Sequence, residues 1–148
     1  MRLARRHKEM TEPPMLARLI PVLLLLLAAP AFAADDKGPL LSELMKQKGY
    51  VYAWDSMLSG ETPPSWIGDY AKTLDGPPVP TIPVPLDGET YTLGFICKAN
   101  DCEDNQLYVL FAPGQRDAWG LLASDGKITW LGRPGERIQD AIRSGLRR

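Results

Sequence analysis

The sequence predicts an α+β domain: an antiparallel β-sheet of about five strands flanked by helices, with a disulfide-closed loop between two adjacent strands. Three observations lead there. Leu40, Leu41, Leu44, Met45, Val51, Trp54 and Leu58 recur at roughly helical spacing. From Thr81 the pattern changes to apolar alternation, punctuated by Asp87-Gly88 and Asp125-Gly126, which are hairpin-type turns. After Pro134 the helical period returns through Ile138, Ala141, Ile142 and Leu146.

The elements follow in order. Leu19–Ala29 is an apolar run preceded by Arg2, Arg5, Arg6, Lys8 and Arg18, and followed by the small-x-small pattern Ala31-Phe32-Ala33. That is the layout of a secretory signal peptide cleaved after about Ala33, with Met1, Met10 or Met15 as the start. A bilayer-spanning helix needs roughly 20 apolar residues, more than this run supplies. The leader is therefore 1–33 and a single exported, periplasmic domain is 34–148. The residue directly after the cleavage point is Ala34, not a cysteine, so no lipid or membrane anchor is expected after cleavage.

In the first helical region Gly49 is expected to break or bend the helix and Gly60 to stop it. The passage from Thr62 through Pro80 is rich in proline, which removes backbone donors, and reads as extended connection or edge strand. Five strands come next: Thr81–Leu86, Glu89–Cys97, Leu107–Phe111, Ala118–Ala123 and Ile128–Leu131. In the second, Tyr91, Leu93, Phe95 and Cys97 share a face. Trp54, Trp119 and Trp130 fall on core positions. Trp66 lies in the proline-rich passage, open to core or interface. The last helix ends in Arg143, Arg147 and Arg148, which suit the negative end of its dipole.

Composition excludes several functions. Residues 34–148 carry sixteen acids and twelve bases, a net charge of −4, which does not suit nucleic acid. It does suit a basic partner, mainly through the association rate. The one histidine, His7, lies in the leader, so Ser-His-Asp and Cys-His catalysis are ruled out for the exported domain. Histidine-ligated zinc goes with them, and two cysteines cannot build a closed metal site. The acidic pairs Asp35-Asp36 and Glu103-Asp104 sit in polar or turn-like contexts that would not raise a pKa, so they read as solvated surface. No catalytic residue, metal or cofactor is expected, and the protein reads as a non-enzyme.

What remains is Cys97-Lys98-Ala99-Asn100-Asp101-Cys102, which holds both cysteines of the chain. In an oxidising compartment the pair is expected to bond, closing a small ring at the sheet rim. Loop closure of that length contributes about 2 kcal/mol. Two purposes are open: a plain hairpin staple, or a loop fixed in shape before it meets a partner, which lowers the ordering cost of binding. A thiol–disulfide enzyme is disfavoured, because reactive pairs stand two residues apart near a helix N-terminus.

The same residues resemble the Ivy family of periplasmic lysozyme inhibitors, whose signature is a Cys-Lys-Pro-His-Asp-Cys loop after a central strand. Cys97, Lys98, Asp101 and Cys102 match it, and Pro64-Ser65-Trp66-Ile67, Gly88-Glu89-Thr90-Tyr91 and Ile128-Thr129-Trp130-Leu131 are similar in the same order. The resemblance implies a sheet flanked by helices, whose loop enters the substrate cleft of c-type lysozyme and excludes peptidoglycan. Lys98, Ala99, Asn100 and Asp101 would then be the partner-binding residues. The partner would be a c-type lysozyme or another peptidoglycan-cleaving enzyme of the envelope; a homodimer is left open. Two positions depart from the signature. Ala99 stands in place of the proline, and Asn100 in place of the histidine that meets the enzyme's carboxylates. Asn100 donates through its amide but carries no charge, which would weaken binding by about tenfold. Lys98 is expected either to reach an enzyme carboxylate or to be a solvated charge. Asp101, which would repel the cleft, is expected to hold the loop's own backbone.

Overall fold

The computed structural model describes residues 38–148; the leader expected over 1–33 lies outside them. Three helices come first: α1 (Leu41–Leu44), α2 (Lys48–Leu58) and α3 (Ser65–Thr73). The strands follow as β1 (Ile82–Leu86), β2 (Glu89–Cys97), β3 (Asn105–Phe111), β4 (Ala118–Ser124) and β5 (Lys127–Leu131), and α4 (Glu136–Gly145) ends the fold. The strands pair antiparallel in chain order, so the sheet is a meander with β1 and β5 at its edges. This is the α+β architecture expected from the sequence.

Two tight turns set the register. Asp87-Gly88 and Asp125-Gly126 have positive φ at both residues (55° and 80°, 49° and 73°), the backbone whose twist matches paired strands. Pairing then places Phe95, Tyr108, Leu121 and Trp130 in one row across the sheet, on the face covered by α4. Val84, Leu93 and Leu110 share that face and pack against Ala141 and Ile142 of α4. The opposite face, with Ile96, Leu107, Val109, Phe111, Leu122 and Leu131, packs against Trp54, Met57, Ile67 and Tyr70 of α2 and α3. The sheet is thus a middle layer with an apolar core on either side. Trp54 is fully buried, while Trp119 and Trp130 are partly buried beside α4, as their positions implied.

Four details differ from the sequence reading. The first helical region breaks at Met45–Gln47, and Gly49 lies inside the first turn of α2. A Cβ on Gly49 would collide with the side chain of Gln115, so the glycine admits the β3–β4 turn against the helix. The proline-rich passage contains a helix, α3. Pro63 and Pro64 precede it, and Pro77, Pro78 and Pro80 follow its left-handed C-cap at Leu74 (φ 55°). No proline occupies the interior, where it would cost about 3 kcal/mol. Trp66 accordingly sits on a helix, half-buried against the core. Finally, Leu146 lies beyond α4 and is exposed.

Candidate functional site

The loop begins where β2 runs out of partners. Lys98 N donates to the Asn105 carbonyl (3.0 Å), one step past the last strand pair, Cys97 with Gln106. The chain then reverses. Asp101 N bonds the Lys98 carbonyl (3.1 Å), and Asn105 N bonds the Asp101 carbonyl (3.2 Å). Asn100 makes the reversal in the left-handed region (φ 61°), which asparagine tolerates better than most residues. The Cys97–Cys102 disulfide, with Cα atoms 4.9 Å apart, closes the ring. Ala99 and Asn100 form its exposed tip.

A second set of bonds works through side chains. Asp101 Oδ2 accepts from Lys98 Nζ (2.7 Å) and from Asn105 Nδ2 (2.9 Å). Asn105 is buried at the first position of β3, and its Oδ1 accepts a hydrogen bond from Ser124 of β4. Gln106 Nε2 donates to the Cys102 carbonyl (2.9 Å). The ring is therefore tied to two strands besides its disulfide. The hydrogen bond from Lys98 and its nearby charge hold the Asp101 carboxyl below the ordinary carboxylate value; the same contact raises Lys98. Both side chains remain substantially solvated, so screening limits what the pair adds to stability.

Of the residues singled out from sequence, Lys98, Ala99, Asn100 and Asp101 come together on one ring. One local role differs. Asp101 holds the side chains of Lys98 and Asn105, not the loop's backbone amides. Lys98 pairs with Asp101 while its side chain stays partly exposed. Asn105 and Ser124 escaped the sequence reading. The available signal was a polar side chain opening an otherwise apolar strand.

The ring does not stand alone. A groove of about 430 Å³ runs between it and Asp75-Gly76-Pro77, the segment after α3. A neighbouring recess of about 240 Å³ extends to Trp66, Asp69, Tyr70 and Thr73. Tyr70 forms part of the floor, and burial pushes its hydroxyl pKa up to about 12. Among the described residues, no cluster of three or more His, Cys, Asp or Glu could hold a metal ion. The ring presents a polar, solvent-facing tip, tied beneath by the disulfide and the Lys98–Asp101–Asn105 bonds.

A family model described as inhibitor of vertebrate lysozyme (Ivy) matches residues 49–146. The chain belongs to the Ivy family. The match runs from α2 through the ring and the whole sheet into α4. A Pseudomonas aeruginosa protein named inhibitor of vertebrate lysozyme is 31% identical over 133 residues, covering 80% of this chain and 83% of that protein. An Escherichia coli K12 protein of the same name is 28% identical over 124 residues, covering 80% and 71% respectively. An uncharacterized Yersinia pestis protein is 30% identical over 122 residues, covering 73% and 77%. The matched stretch includes the five-stranded sheet and the Cys97–Cys102 ring.

Proposed function

We propose that this chain is an exported Ivy-type inhibitor of c-type lysozyme, a binding protein and not an enzyme, that seats the Cys97–Cys102 loop in the enzyme's cleft and blocks peptidoglycan. The observation that carries the reading is a tip held in shape before binding. Ala99 and Asn100 project to solvent, while the disulfide, the Lys98–Asp101–Asn105 bonds and the β2–β3 ladder fix everything beneath them. A loop already ordered gives up less conformational freedom on docking, about 0.5–1.5 kcal/mol for each side chain held still. The cleft of a retaining glycosidase carries two carboxyl groups. The Asn100 amide would donate to them, and Lys98 would supply positive charge, its own carboxylate partner Asp101 sharing the load with Asn105. The names of the Pseudomonas and Escherichia relatives support lysozyme as the target.

Export completes the reading. Residues 1–33 would be removed as a signal peptide, delivering 34–148 to the periplasm, where the disulfide forms. Among the described residues no helix is long and apolar enough to cross a membrane.

The deciding test titrates the oxidised 34–148 protein into a c-type lysozyme acting on peptidoglycan, with and without reductant. Inhibition at micromolar concentration or below, lost when the ring is opened, is the expected result; no inhibition at large excess would overturn it. Asn100 and Ala99 favour a second reading, in which the loop serves an endogenous peptidoglycan-cleaving enzyme or another envelope protein. That reading gains if Asn100→His creates strong lysozyme inhibition where the native loop has little.

A further inference from the structure

A loop that enters a cleft brings the cleft's lips down onto whatever flanks the loop. On the helical side of the ring that flank is the groove bounded by α3, Asp75-Gly76-Pro77 and Cys97–Ala99. Its charges are unevenly matched. Lys98 is held by Asp101 at 2.7 Å, and Lys72 stands 3.5 Å from Asp69. Asp75 lines both halves of the groove and has no ion-pair partner among the described residues. Its backbone N–H is turned onto the Thr73 hydroxyl (3.3 Å), which fixes the residue at the groove's edge. Beside it Trp66 supplies an aromatic wall over a floor that includes Tyr70, and Gly76 lies so close over the Tyr70 ring that a Cβ would come within 2.9 Å.

An unpaired carboxylate at the mouth of a recess lined by the partly exposed Trp66 is a receptor for a side-chain cation, which gains chiefly from the charge. Residues 34–148 carry a net charge of −4, which favours a partner that is basic where it meets this surface. We propose that the groove between α3 and the disulfide ring is a second contact site, which takes an arginine or lysine side chain from the lip of the target's cleft. Asp75 pairs with that cation, Trp66 forms its wall and the largely buried Tyr70 lies in the floor. The inference rests on the inhibitor reading above and adds a residue outside the ring that sets which enzymes are bound. The two contacts also divide the work by sign. The ring tip meets the acids inside the cleft, and Asp75 meets a base at its edge.

The test compares Asp75→Lys, Asp75→Asn and Asp117→Lys against a c-type lysozyme, measuring inhibition at low and high salt. Asp117 is exposed in the β3–β4 turn, at the opposite end of the sheet from the ring, and its replacement changes net charge equally. Asp75→Lys should raise the inhibition constant about tenfold and Asp75→Asn by less, both effects shrinking at high salt, while Asp117→Lys changes it less than about twofold. Equal effects of the two lysine variants, or none from either, would overturn the second contact and leave the loop reading standing. A native protein that does not inhibit at all would remove the loop reading itself, and the inference with it.

Discussion

Asp101 accepts two hydrogen bonds on one oxygen and so joins the ring's only cation to the buried Asn105. The shifts of the pair define when that junction holds. Asp101 titrates below its ordinary value, so its contribution is complete above the usual carboxylate range and is lost as pH falls through the lower folded pKa. Lys98 titrates above its ordinary value, so its contribution is complete below the usual lysine range and is lost only as pH rises through the raised pKa. Between those limits the ring is insensitive to pH. Thermal melts of the native protein and Asp101→Asn should therefore differ by a constant amount around neutrality and converge in acid. A gap that stays constant down to about pH 2 would show that Asp101 does not hold the ring. The resemblance marks Lys98, Ala99, Asn100 and Asp101 as one partner-binding loop, and the exposure of Ala99 and Asn100 at its tip is what the folded ring adds. The Asn105–Ser124 contact could not be read from sequence, because it joins side chains nineteen positions apart through a register that only the folded sheet sets.

At the scale of elements, the strands were legible because alternation and Asp-Gly turns act locally. The proline-rich stretch misled because proline's effect depends on its place. Two residues before a helix it starts one, and past the C-cap it does no harm. That misplacement matters, since α3 forms one wall of the groove beside the ring. The close fit of α2 on the sheet is also hard to foresee. A Cβ on Gly120 of β4 would sit 3.1 Å from both Leu107 Cδ1 and Met57 Sδ and 3.3 Å from Leu131 Cβ. A large side chain there would wedge α2 away from β3 and β5. Gly120→Val should cost about 1–3 kcal/mol in denaturant unfolding, the usual penalty of overpacking. An unchanged midpoint would mean that the layer yields more easily than its spacing implies.

For the whole molecule, two cores lie on opposite faces of one sheet, and neither includes the ring. Opening the ring is therefore expected to leave both cores in place. Replacing Cys97 and Cys102 together by serine should leave a cooperatively folded protein, less stable by about 2 kcal/mol from lost loop closure, with inhibition largely abolished. Circular dichroism through a urea titration and the lysozyme assay would check both halves; loss of the cooperative transition would mean the ring also nucleates the fold. The two edges of the sheet are equally distinct from each other. Pro83 and Pro85 alternate along β1, in the phase that faces away from β2, and leave its rim without N–H donors at those positions. The β5 edge has no proline and carries the solvent-exposed Ile128. A sheet that can be extended along one border but is capped at the other has no means of chain growth. Strand-to-strand joining between copies through these edges would end at a pair.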